Sequence, residues 1–214
     1  MSLLVATRRA LLSPQLANWW DVAGQTCIAA YAPKGSASLA ASYVNLTGNA
    51  TYNAAPGVAP TWDATGGWTF NGTTQYLTTG VVPGTGYSMI VRFSDVTGSG
   101  CAAGSLNGTP NRFHLFPRNA SNLRSYGYDS DLAPAASVTS GVLCIAGGTG
   151  YYNSSSDGTT TGSTIPAFGV MIAARNASGA ATLLFPGKIQ AFAIYSTTLS
   201  AGDVAEKTTA MNAL

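Results

Sequence analysis

The sequence predicts an all-β protein, a sandwich of two antiparallel sheets entered by an N-terminal arm and closed by one short helix. Three observations predict it. From Trp62 onward, short runs of β-branched and aromatic residues recur between turns rich in Gly, Pro and Asn. Gly (25) and Pro (10) are frequent enough in 214 residues to serve that many reversals. Helical spacing is confined to the two ends. A chain of this length suits one all-β domain and can bury a sizeable core. It divides into an arm, residues 1–20, and a sandwich domain, residues 21–214.

Each element follows from its residues. In the arm, Leu3, Leu4, Leu11, Leu12 and Leu16 can line a short helix that stops near Pro14. Trp19 and Trp20 then need an apolar partner, in the domain or at a subunit contact, since two exposed tryptophans are a liability. Residues 27–31 (CIAAY) form a plausible strand, and residues 34–45 hold a loop or helical turn. Residues 49–60, rich in Gly, Pro and Ala, read as irregular coil. Residues 67–72 (GWTFNG) end in Asn-Gly, a preferred tight-turn pair, with 75–79 as the return strand of a hairpin. Tyr87, Met89, Val91 and Phe93 share one face of a strong strand. Further strands are expected at 112–116, 123–128, 142–146, 169–174 and 188–195, with a Gly147-Gly148 turn into Tyr151-Tyr152. In the last, Ile189, Ala191, Ala193 and Tyr195 alternate with Gln190, Phe192 and Ile194, so both faces are expected to be covered. Residues 153–163 read as a surface loop or hairpin tip. Ser200 to Asp203 resembles a capping box with Asp in the usual Glu position, and Val204, Thr208, Met211 and Leu214 recur at helical spacing behind it.

Composition excludes several classes. Only 8% of residues are charged, against roughly 25% in ordinary domains. A net charge of +2 is too small for a nucleic-acid binder or a polybasic membrane protein. No window approaches the ~20 apolar residues of a spanning helix, so no membrane insertion is expected. Arg8 and Arg9 follow the apolar run at 3–6 rather than precede it, the wrong order for an export signal. The three cysteines, Cys27, Cys101 and Cys144, are far apart, and His114 is the single histidine, which argues against zinc. The cysteines are expected as buried thiols, with one Cys101–Cys144 bridge as the alternative.

Two segments resemble a known family. Gly67-Trp68-Thr69-Phe70-Asn71-Gly72 through Tyr76-Leu77 is similar to the W-x-F-N-G-x-x-x-Y-L stretch of laminin-G-like, concanavalin A-like domains. Gly187-Lys188-Ile189 through Ile194-Tyr195 to Leu199-Ser200 resembles their closing strand and terminal helix. The two bracket residues 60–214. The resemblance implies a jelly-roll sandwich, and relatives that bind glycans, mediate adhesion or cleave β-glucans. Retaining glucanases that share this resemblance carry an E-x-D-x-E or E-x-D-x-x-E strand, because the chemistry needs two carboxyls about 5 Å apart. Here the single glutamate, Glu206, falls in the expected terminal helix, so no enzyme of that type is expected.

The remaining candidates concern binding. Asp129-Ser130-Asp131, with Asp157 or Asp95, reads either as a solvated Asx-turn loop or as a Ca²⁺ site. Tyr126, Tyr128, Tyr151 and Tyr152, with Asp129 and Asp131, read either as a glycan or partner contact surface or as ordinary sheet aromatics. His114 reads as a strand histidine between Phe113 and Phe116. A near-neutral, hydroxyl-rich surface with an apolar arm suits a structural or adhesion protein on the surface of a virus or phage particle. In that role Leu3, Leu4, Trp19 and Trp20 would contact a capsid protein or other copies in a homo-oligomer. The alternative is a stand-alone, extracellular, carbohydrate-binding lectin-like module with a surface glycan as ligand.

Overall fold

The computed structural model describes residues 18–108 and 110–214. The arm's Leu3 and Leu4 lie outside the described residues. Among the described residues, seventeen strands run in the order β1 (Cys27–Tyr31), β2 (Ala55–Val58), β3 (Thr61–Asp63), β4 (Gly67–Asn71), β5 (Tyr76–Thr78), β6 (Ser88–Ser94), β7 (Ala103–Leu106), β8 (Arg112–Phe116), β9 (Leu123–Tyr128), β10 (Ser130–Ala136), β11 (Gly141–Ala146), β12 (Thr149–Tyr152), β13 (Ser155–Thr159), β14 (Met171–Ile172), β15 (Arg175–Ala177), β16 (Ala180–Thr182) and β17 (Pro186–Tyr195). Helix α1 (Leu39–Ser42) and a 3-10 turn (Ala50–Tyr52) lie between β1 and β2, and α2 (Ala201–Asn212) closes the chain. The first sheet has the order β13-β12-β11-β6-β17-β4-β3, with β1 also on β17. The second has the order β10-β9-β8-β7-β14-β5-β2, with β15 added in parallel to β7 and β16 on β15. The expected two-sheet sandwich is therefore present.

Two apolar layers result. Between the sheets, Tyr31, Trp68, Leu77, Phe93, Phe113, Tyr126, Phe185 and Phe192 are fully shielded from solvent. A second layer covers the outer face of the first sheet, where Ile90, Cys144, Ala193 and Tyr195 meet Val204 and Met211 of α2. Trp19 and Trp20 pack edge-to-face, centroids 5.7 Å apart, against this same layer, and Tyr195 donates to the Trp20 carbonyl at 2.9 Å. Among the described residues no such layer covers the outer face of the second sheet.

The capping box forms as read. Asp203 N–H donates to Ser200 Oγ at 3.2 Å, and Ser200 N–H donates to Asp203 Oδ2 at 2.8 Å. At the other end of α2, Arg92 Nη1 donates to the Met211 carbonyl at 2.6 Å, a cation where the helix dipole favours one. Lys207, which the spacing did not mark, is buried with its ammonium on the Asp21 carbonyl and 2.9 Å from Glu206.

Three expectations are corrected. Residues 67–79 are not a hairpin, because β4 lies in the first sheet and β5 in the second. A two-residue hairpin of the preferred type needs positive φ at both turn positions. Gly72 has it (φ 72°) and Asn71 does not; instead Asn71 Oδ1 accepts from the backbone of Thr73 and Thr74 and carries the chain across the sandwich. Gly147 and Gly148 are both positive (53° and 95°) and do make the tight β11–β12 turn. In β17 the register shifts between Ile189 and Ala191. Ile189 therefore joins Phe192 and Ile194 between the sheets, while Ala191, Ala193 and Tyr195 face α2. Finally, the segment read as coil at 49–60 contains strand β2, while in 153–163, read as a surface loop or hairpin tip, Asn153 and Ser154 form the tip of a β12–β13 hairpin whose second strand is β13. The cysteines are free thiols; Cys144 faces the second layer and Cys101 lies buried beside the second sheet.

Candidate functional site

One row of residues crosses the outer face of the second sheet. Arg175 on β15 is in register with Gly104 on β7, Gly104 with His114 on β8, His114 with Gly127 on β9, and Gly127 with Asp131 on β10. Side chains at paired positions share a face of a sheet, so the row reads Arg, Gly, His, Gly, Asp. The glycines are required by contact. A Cβ on Gly127 would lie 2.6 Å from His114 Nε2, and one on Gly104 would lie 2.4 Å from His114 Cβ. The imidazole thus lies across β9 and reaches Asp131 Oδ1 at 2.9 Å. Phe116, two residues along β8, meets the imidazole edge-to-face at 4.8 Å.

A cavity of about 280 Å³ sits on this row. His114, Asp131, Arg175 and Phe116 line it, joined by Asn119 and Ser121 from the β8–β9 loop and by Leu183. A wider cleft of about 480 Å³ lies against residues 18–27. Residues 18–27, the segment leading from the arm, line it, and Asn18 donates to Asp21 there at 3.0 Å.

The electrostatics of the row are uneven. Asp131 is answered twice, by the Arg112 guanidinium and by His114. Burial, with the positive charges of Arg175 and Arg112 added, holds the His114 pKa well below its usual value. The Asp131 carboxylate pulls the other way, but it is shared with Arg112 and exposed to water, so burial wins. His114 is then neutral at pH 7. With Nε2–H given to Asp131, its Nδ1 is a buried acceptor without a partner among the described residues. No hydroxyl or thiol among the described residues is hydrogen-bonded to this ring, so the cavity shows no nucleophile–base pair.

Of the residues expected to form a binding surface, Asp131 lines the cavity and the others do not gather around it. Tyr126 and Tyr128 point between the sheets, buried, because β9 alternates and their partners in the row are Ser125 and Gly127. Tyr126 donates to Asp157 Oδ2 at 2.5 Å, and Tyr128 accepts from Gly86 N–H at 2.7 Å. Tyr151 is buried on the opposite outer face, in the layer under α2. Tyr152 is half-buried under the Arg124 guanidinium, 4.8 Å from its ring centroid. Asp129 is buried at a turn with φ 62° and accepts from Ser163 N–H at 2.9 Å. The four tyrosines are therefore not a shared contact surface. Asp129 and Asp131 serve different partners, Asp157 is taken by Arg124 and Tyr126, and no group of three metal-ligating side chains gathers among the described residues. Arg112, Arg175 and the two glycines were missed; they become a site only through pairing across four strands, which no local spacing encodes.

Comparison with known proteins gives likeness in fold alone. No family model and no curated protein matches the sequence. Among solved structures, the chain is similar to domain 4 of AbnA, a GH43 extracellular arabinanase from Geobacillus stearothermophilus, solved in complex with arabinotriose. The TM-score is 0.60 at 16% identity, over 86% of this chain and 98% of that one. It is also similar to Trypanosoma rangeli sialidase, at a TM-score of 0.58 and 14% identity over 90% of this chain. The match spans 33% of that sialidase.

Proposed function

We propose that this chain is an extracellular carbohydrate-binding module whose sugar site is the cavity on the outer face of the second sheet. The observation that carries this reading is the Arg175–His114–Asp131 row with its cavity of about 280 Å³. Sugar recognition needs a few fixed polar groups for hydroxyls beside an apolar wall for the ring's C–H face. Asp131, Asn119 and Ser121 supply the first, and Phe116 and Leu183 the second. The likeness to a domain solved with arabinotriose supports the same class of ligand. The reading requires no cofactor and no catalytic residue.

Isothermal titration against a panel of neutral and acidic oligosaccharides tests it, with and without a calcium chelator. A member of the panel should bind, and Asp131→Ala should weaken it at least about tenfold, or ~1.4 kcal/mol. Binding that ignores Asp131→Ala would sink the assignment. The particle-surface role has less support. Its arm residues Leu3 and Leu4 lie outside the described set, Trp19 and Trp20 pack on the chain's own sandwich, and neither neighbour named above is a virion protein. A stable homo-oligomer in light scattering that dissociates without residues 1–20 would revive it.

A further inference from the structure

We propose that the saccharide this cavity takes is acidic, with one carboxylate, as on a uronic acid unit, seated on Arg175. The inference rests on the sugar-binding reading and narrows its ligand.

The argument is one of unanswered charge. Five ion pairs occur among the described residues, and none includes Arg175. Its Nε is buried without a hydrogen-bond partner. The carboxylate that shares the cavity is committed, Asp131 to Arg112 and His114. A guanidinium nitrogen buried without a partner is costly, and the planar fork matches a carboxylate with two parallel hydrogen bonds. His114 adds no charge, because burial keeps it neutral. The row then runs from an open cation at β15, through a neutral ring, to a compensated carboxylate at β10.

That order also limits the ligand. Asp131 is paired with Arg112, so among the charged side chains lining the cavity Arg175 is the one in no ion pair with a described residue. Asp131 at the far end offers acceptor lone pairs to hydroxyls and no donor to a second anionic group. A saccharide with one carboxylate at one end and hydroxyls at the other fits this polarity. A densely sulfated chain does not.

The experiment uses the full chain and matched ligands. Oligosaccharides containing galacturonate or glucuronate are titrated calorimetrically at pH 7, each beside its methyl ester, which removes the charge and keeps the sugar. The acid form should bind at least about tenfold more tightly. Arg175→Gln should erase that preference, and Arg175→Lys should keep part of it. Thermal melts of both variants establish that they fold. Equal affinity for acid and ester, still weakened by Asp131→Ala, would overturn the acidic ligand and leave the sugar module standing. A preference for the acid that survives Arg175→Gln would also overturn it, by placing the carboxylate elsewhere. Failure of every saccharide to bind would remove both.

Discussion

Replacing Gly127 by alanine should dislodge His114 without touching the inter-sheet core. The new Cβ would stand 2.6 Å from Cδ2 and Nε2 of the imidazole, whereas ordinary contact starts at 3.4 Å. The ring must therefore retreat by about 0.8 Å, the difference between those two distances. Its 2.9 Å hydrogen bond to Asp131 is made by the same edge and is lost with it. Overpacking of this kind costs about 1–3 kcal/mol. The lost bond to a charged group adds about 1.5–3 kcal/mol, less what water returns to the exposed Asp131. Gly127 lacks a positive φ, so alanine also returns about 0.4–1 kcal/mol by restricting the unfolded chain. The net loss should be about 1–3 kcal/mol, or roughly 3–10 °C in Tm for a chain of this size. Urea unfolding followed by tryptophan fluorescence measures it. In the double variant Gly127→Ala with His114→Ala, the alanine should cost little, because nothing remains to collide with. A neutral or stabilising Gly127→Ala, or strictly additive penalties in the double variant, would refute the account of the ring lying over β9.

Other outcomes follow from particular groups. Burial, then the charges of Arg175 and Arg112, depress the folded pKa of His114, so its neutral form supports the fold above about pH 6.5. That support should fall by up to about 1.4 kcal/mol per pH unit on acidification below this point, and His114→Gln should flatten the slope. Burial alone would raise the Asp157 pKa, but hydrogen bonds from Arg124 and Tyr126 outweigh it and hold the carboxyl below its usual value. Its contribution is present above about pH 4 and lost as pH falls through the folded value; Asp157→Ala should cost about 1–3 kcal/mol at neutral pH by chemical denaturation. Ser200→Ala removes the cap of α2 and should cost about 1 kcal/mol, read as a Tm lower by about 2–4 °C. Burial pushes the Cys101 thiol up to about 12 and raises Cys144 as well, so neither should react with iodoacetamide at pH 8 until urea is added. Rapid labelling of Cys101 in the native chain would contradict its burial.

What the sequence made legible was local. Alternation located β6, β8, β9 and β17, which carry large apolar residues at period two, and a continuous apolar run located β11. The α2 helix was readable from its cap and its Val204, Thr208 and Met211 spacing. Strands built of small or polar residues were invisible: β7 is AGSL, and β13 is SSDGT. β10 contains Pro134, which reads as a breaker; it is tolerated because β10 is an edge strand whose register slips between Leu132 and Ala135. The direction of β9 decided the binding residues. Its tyrosines looked ready for a ligand, yet they fall on the inner face, and the outer face is left to Ser125 and Gly127. Asp131 was legible as a polar loop residue but not as the partner of a histidine 17 positions earlier.

The position of β17 has a kinetic consequence. The last strand of the chain occupies the middle of the first sheet, with β6 on one side and β4 and β1 on the other. Until residues 186–195 leave the ribosome, β1, β3 and β4 have no connection to the β6-β11-β12-β13 half. The pairing of Cys27 with Tyr195 also spans most of the polypeptide. Closure by such distant contacts makes folding slow and late rather than progressive. During synthesis the β6 edge, carrying Met89, Val91 and Phe93, stays open to other chains. Yield of intact protein should therefore depend on chaperone capacity during translation more strongly than the stability of the finished sandwich would suggest.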